Sequence, residues 1–211
     1  MRFLLLSTWF PYPPDNGAKI RAYYLLRALA KRHEVTMVSF CPDGKGPMSP
    51  QAIPGLERLR VIPVYADPFR FVSLPLIAKF VSPVPVSLWP AAAMVRAVRG
   101  LEHPKQFDAV VGIESSVACY ALLAGSAARV LDVDTALSYQ MYERYAKQRS
   151  VARLRAWVSW QKARFWEGLL LRQFQVCTIV GAQELDLLKA MVDRRSCQVM
   201  VMPNGVDCER N

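Results

Sequence analysis

The chain has 211 residues, 53% of them hydrophobic and 21% charged, which excludes a disordered protein and leaves enough apolar material for a real core. Lys and Arg outnumber Asp and Glu by 27 to 17, so the surface attracts anions, whether phosphates, nucleic acid or acidic lipid headgroups. Five scattered cysteines without a C-x-x-C pair, and only two histidines, His33 and His103, point away from a zinc site, a disulfide framework or a His-based triad and fit a reducing cytosol.

Residues 2–7 form a short apolar run that gives way to a Pro, Asp, Asn and Gly cluster, which predicts a buried strand ending in a loop. The run is too short for a signal peptide. A helix is expected next. Ala22, Leu25, Leu26 and Leu29 fall at i, i+3, i+4 and i+7, with Arg27 and Lys31 on the opposite side, the pattern of an amphipathic helix laid on a sheet. Strands are then expected at 35–40, 59–64, 109–113, 130–133, 176–180 and 198–202, with helical stretches within 69–100, at 116–124, and after each of the fifth and sixth strands. Alternation of strand and helix predicts a Rossmann-like α/β fold, a parallel sheet covered on both faces. Residues 69–98 are apolar but broken by Arg70, Lys79 and four prolines, so no membrane-spanning helix is expected there.

In an open parallel sheet, ligands bind beyond the carboxyl ends of the strands, where helix N-termini present N–H groups. The first such place is T-W-F-P-Y-P-P-D-N-G-A-K-I-R at 8–21. It lacks the G-x-G-x-x-G triplet of dinucleotide-binding dehydrogenases. Asn16 and Gly17 at a helix start, with Lys19 and Arg21 behind them, suit a diphosphate. By composition alone, an ordinary Pro-rich β-α connection is the commoner use of such a segment.

The succession P-Y-P-P-D-N-G-A-K-I-R-A-Y-Y-L-L-R-A-L-A-K-R-H-E-V at 11–35 resembles the opening of the group 1, or family 4, glycosyltransferases of the GT-B fold. L-D-V-D-T-A-L-S at 131–138, V-G-A-Q-E-L-D-L-L at 180–188 and M-P-N-G-V-D at 202–207 are similar to later segments of the same family, in the same order. The nearest likeness is to the sugar transferases of bacterial exopolysaccharide and PEP-CTERM systems. Ala18 stands where many members have a second Gly or an Asp, and Gly181 where Ser is usual.

The resemblance implies the N-terminal, acceptor-side half of a GT-B enzyme. Residues 1–202 would form the Rossmann-like domain, and 203–211 would begin a linker to a nucleotide-sugar-binding domain. It implies transfer of a sugar, with retention, from a nucleotide sugar to a lipid-linked or polysaccharide acceptor in the cytoplasm or at the inner membrane face, without cofactor and without activity in this half alone. Asn16, Gly17, Lys19 and Arg21 are expected at the donor phosphates, and Glu114, Asp132, Asp134 and Glu184 on the acceptor side. A stand-alone nucleotide- or sugar-binding module is the alternative, and a nucleic-acid binder rests on charge alone.

Asp132 and Asp134 also form a D-x-D after an apolar strand, a pattern that can share a divalent cation. A regular strand would put both on one face. GT-B enzymes generally work without bound metal, so no metal is expected; helix capping and contact with the acceptor are the two other uses. Ser115 reads as a helix N-cap and Glu184 as a first-turn carboxylate.

Residues 143–172 carry eight Lys or Arg against Glu143 and Glu167, with three tryptophans. Val151, Leu154, Val158, Phe165 and Leu169 make one apolar seam; Ala152, Ala156, Trp160 and Ala163 make another. A basic, Trp-bearing helix can lie on an anionic membrane surface, but a helix apolar on two sides is expected to pack into protein, with its tryptophans in the core. Residues 69–89, aromatic and Pro-broken, are either a membrane contact or a partly buried loop.

Overall fold

The computed structural model describes residues 1–42, 53, 56, 58–69, 74–101, 107–125, 128–192 and 197–204. Within them lie β1 (Arg2–Ser7), α1 (Gly17–Ala30), β2 (Glu34–Phe40), β3 (Leu59–Val64), α2 (Leu76–Val81), α3 (Ala92–Arg99), β4 (Ala109–Ile113), α4 (Ala118–Ala121), β5 (Ala128–Asp134), α5 (Leu137–Lys147), α6 (Ser150–Leu171), β6 (Val176–Ile179), α7 (Leu185–Lys189) and β7 (Gln198–Val201). The seven strands form one sheet in the order β3-β2-β1-β4-β5-β6-β7, and every pairing is parallel. This is the expected Rossmann-like α/β fold.

Alternation along the central strands divides the core between the two faces. Leu4 and Leu6 of β1 join α3, α4, α7 and the end of α6 on one side. Leu5 joins Ala22, Tyr23 and Leu26 of α1 on the other. Buried on both faces, β1 reads as an unbroken run of leucines rather than an alternating one. Each such leucine contributes roughly 1.5–3 kcal/mol through burial. In β4, a Cβ on Gly112 would come within 3.1 Å of the Leu131 side chain, so glycine lets β5 pack closely there.

Two expectations about helices are corrected. The helix expected over 116–124 is a short α4 flanked by tight 3-10 turns at Ser115–Val117 and Leu122–Ala124. The basic stretch is an antiparallel hairpin, α5 and α6, broken at Gln148 and Arg149, with Ser150 at φ 53°.

The hairpin outgrows the sheet. α6 has 22 residues, about 33 Å at the helical rise, whereas a six-residue strand spans roughly 20 Å. Since α6 ends beside the start of β6, its first turns project past the carboxyl edge. In agreement, residues 151–155 are all exposed. The buried residues of α6 lie in its later turns, at Ala163, Glu167, Gly168 and Leu171.

Candidate functional site

Strand order reverses direction between β1 and β4, because β2 and β3 lie on one side of β1 and the later strands on the other. The loops leaving two such strands diverge and open a crevice at the carboxyl edge. Here the loops are joined at one point, where Thr8 Oγ1 and Ser116 Oγ lie 2.5 Å apart. Beside that bond is a cavity of about 280 Å³ lined by Trp9, Phe69, Leu88, Glu114, Asp134 and Gln140, among others. Trp9 and Phe69 pack ring on ring, centroids 4.8 Å apart. Aromatic rings and two carboxyl groups lining one cavity suit the apolar face and hydroxyls of a sugar-like guest.

Glu114 follows directly on β4 and adopts φ 74°, ψ 147°, a conformation that costs a non-glycine residue on the order of 1–3 kcal/mol and recurs at functional sites. Burial pushes its carboxyl up to about 7, with Asp134 and Asp132 adding to the rise and hydrogen bonds from Thr8 and Trp9 opposing it. When Thr8 donates to Glu114, Ser116 must donate to Thr8. The group therefore titrates in the range where a carboxyl can either give or take a proton.

The strand reading of the D-x-D is corrected. The register with β6 shifts between Asp132 and Asp134, so Val133 is the extra residue of a bulge. Asp134 reaches φ 59° and lines the cavity, and its carboxyl is raised mainly by burial and then by Asp132, with Arg21 opposing. Asp132 is buried instead. It accepts from Arg21 Nε at 2.6 Å and Nη2 at 2.7 Å, and from Thr178 Oγ1 at 2.6 Å. Both its oxygens are thus committed to protein donors, which is not the arrangement of two carboxylates sharing a cation. Among the described residues no group of three or more His, Cys, Asp or Glu is placed to hold a metal ion.

Arg21 is accordingly drawn inward from α1. Its Nη1 also donates to Met202 O at 2.9 Å and Asn204 Oδ1 at 3.0 Å. One guanidinium therefore ties α1, β5 and the P-N segment after β7 together; Gly205, Val206 and Asp207 lie outside the described residues. At the start of α1, Asn16 is the N-cap, accepting from the Lys19 amide at 3.0 Å. Lys19 Nζ pairs with Asp15 at 2.9 Å. Gly17 faces open space, with nothing within 4 Å of a Cβ placed on it. The four residues expected at the donor phosphates thus divide: Asn16, Gly17 and Lys19 surround an open helix N-terminus, and Arg21 lies behind them.

Glu184 is placed away from the cavity lining. It is buried and accepts from the Ala136 amide at 2.6 Å. Glu167, which the sequence shows only as one acid in a basic helix, accepts from the Leu137 and Ser138 amides at 2.8 and 2.9 Å. Two carboxylates from distant elements thus satisfy the first amides of α5, where no local side chain caps the helix. Burial raises both carboxyls, and these amide bonds oppose the rise. Ser115, expected as an N-cap, instead approaches Glu167 Oε1 at 3.4 Å.

Residues 15–210 match the family model described as Glycosyltransferase Family 4. The chain belongs to this family. No curated protein matches it at a significant level. Its fold is similar to that of Phytolacca americana UGT2 complexed with UDP-2-fluoro-glucose and pterostilbene, at a TM-score of 0.52 and 12% identity. That likeness covers 99% of this chain but 55% of the other, so the family 4 chain spans about half the length of its structural neighbour. The match makes it a glycosyltransferase domain. Ser116 and Glu167 carry no sequence signal of their own, and Thr8 and Trp9 only their place in the 8–21 segment, because each acquires its role from a partner on another element.

Proposed function

We propose that this family 4 domain supplies the acceptor-side wall of a retaining glycosyltransferase, and that a second α/β domain carrying the nucleotide sugar completes the site. The observation that carries this reading is the cavity at the carboxyl edge beside the β1/β4 reversal, which Glu114 and Asp134 line together with Trp9 and Phe69. Support for a second domain comes from the neighbour's length and from its complex with a sugar nucleotide analogue.

In this reading, the acceptor hydroxyl lies against Glu114 and Asp134. The sugar leaves its nucleotide, and negative charge grows on the departing diphosphate. The N-terminus of α1, open above Gly17, meets that charge with backbone N–H groups. Glu114, poised between its protonated and ionised forms, orients the acceptor hydroxyl and takes up its proton as the oxygen bonds to the sugar and the bond to the diphosphate breaks, while Thr8 and Ser116 hold the carboxyl in place. Arg21 and Asp132 position α1 against β5 without touching substrate. The acceptor is lipid-linked or a polysaccharide, as the resemblance to exopolysaccharide transferases suggests, and no metal or cofactor takes part. On this reading the enzyme works in polysaccharide biosynthesis on the cytoplasmic side of the membrane.

The test is release of nucleotide from a panel of nucleotide sugars, run on the whole protein and on the 211-residue chain. Turnover is expected of the whole protein with its second domain and not of this chain alone. Efficient turnover by this chain would overturn the division of labour between domains.

A further inference from the structure

Among the described residues no helix is long and apolar enough to cross a membrane. One continuous surface is nonetheless far more apolar than a solvated helical face requires. The α6 seam of Val151, Leu154, Val158, Phe165 and Leu169, expected to pack into protein, is the seam left uncovered: Val151 is 74% exposed, Leu154 63% and Phe165 61%. The buried side of α6 is the other seam, through Ala163. The tryptophans divide in the same way. Trp160 packs between Tyr142 and Tyr145, whereas Trp157 is exposed.

Beside this seam lies α2, where Ile77 is 78% and Val81 70% exposed. The two elements are fastened together: Lys162 Nζ donates to the Phe80 and Ser82 carbonyls, and Trp166 Nε1 donates to Pro83 O at 2.9 Å. The membrane reading of 69–89 and the surface reading of the basic helix thus describe one patch. Arg70 lies outside the described residues.

We infer that α2 and the projecting part of α6 form a docking surface for an anionic lipid bilayer. Charge decides between occupants. On the hairpin, Arg144, Lys147, Arg149, Arg153, Arg155 and Arg164 are exposed, and the exposed carboxylate among them is Glu143, 4.0 Å from Lys147 Nζ. Glu167 is turned inward onto α5. Apolar side chains ringed by cations fit a layer of acidic headgroups above acyl chains. A second copy is a poor partner, since each chain carries a net charge of +10. The patch also adjoins the cavity, which Ser87 and Leu88, a few residues past α2, help to line. This inference rests on surface chemistry and stands whether or not the chain takes part in sugar transfer.

The experiment is flotation of the whole protein with phosphatidylcholine vesicles, with and without phosphatidylglycerol, at low and high salt. Binding is expected only with the anionic lipid, weakening as salt rises. Leu154→Glu with Phe165→Glu, and separately Arg149→Glu with Arg155→Glu, should each reduce it by about tenfold or more, with unchanged thermal melting. Should the first pair disturb folding, Val151→Ser with Ile77→Ser replaces it. Equal or negligible binding to both vesicles overturns the proposal, as does wild-type binding by the apolar variants. Light scattering that shows a dimer lost in those variants assigns the patch to a second copy and overturns it too.

Discussion

Arg21 and Asp132, 111 positions apart in sequence, meet in a two-point ion pair under the start of the crevice, Nε to Oδ2 at 2.6 Å and Nη2 to Oδ1 at 2.7 Å. Both side chains are almost fully buried. Removing one partner leaves a buried charge uncompensated, at a cost of about 3–5 kcal/mol. Arg21→Met and Asp132→Ala should each lose that much in urea unfolding, and Arg21→Met combined with Asp132→Leu should recover a large part of it. Losses that simply add would show that the pair does not act as a unit. Arg21→Lys cannot reproduce the fork and should behave as a loss.

Gly17 offers a cleaner separation of folding from function. Its backbone is helical and a Cβ there meets nothing, so Gly17→Ala should leave stability unchanged or raise it by up to about 1 kcal/mol. If a diphosphate approaches this helix end, the same methyl should reduce kcat/KM for the nucleotide sugar by about tenfold or more. Full activity in Gly17→Ala would place the diphosphate elsewhere.

The pH dependence of Glu114 has a definite sign. Its carboxyl rises from the usual 4.5 to about 7 on folding, so its stabilising contribution is complete below about 4.5 and is lost as pH rises through 7. The raised value amounts to at most about 3 kcal/mol. Stability of Glu114→Gln should therefore fall less than that of the wild type between pH 4.5 and 7.5 by urea titration, taking about these limits from the same shift. Parallel curves for the two proteins would show that the carboxyl is not perturbed.

Glu167 and Glu184 hold the first amides of α5. Glu167→Gln should cost about 1–3 kcal/mol, the range for a charge-assisted bond in a buried setting. The loss should appear as faster amide exchange at Leu137 and Ser138. Unchanged exchange there would contradict the capping role.

The fold was legible because its strands are short runs of Leu, Val and Ile between turn residues, and because α1 repeats its apolar positions with helical spacing. The site was only half legible. Glu114, Asp132 and Asp134 stood out as carboxyls at strand ends, but the bulge separating Asp132 from Asp134 inserts Val133, a β-branched residue that an unbroken strand would hold equally well. Glu167 was invisible since its amide partners lie 29 and 30 positions away. For α6, periodicity revealed two apolar seams; which of them the sheet would cover depends on how far the hairpin overruns β5 and β6, and periodicity holds no information about that.

In the proposed reaction Glu114 faces the acceptor. The decisive measurement is kcat/KM across pH for the whole protein and its Glu114→Gln variant, with one nucleotide sugar and its acceptor. At least about a hundredfold loss is expected in the variant, in line with removal of a positioned acid or base, together with disappearance of an ionisation near 7. A variant of unchanged stability that transfers sugar at the wild-type rate, with the same pH profile, would contradict it.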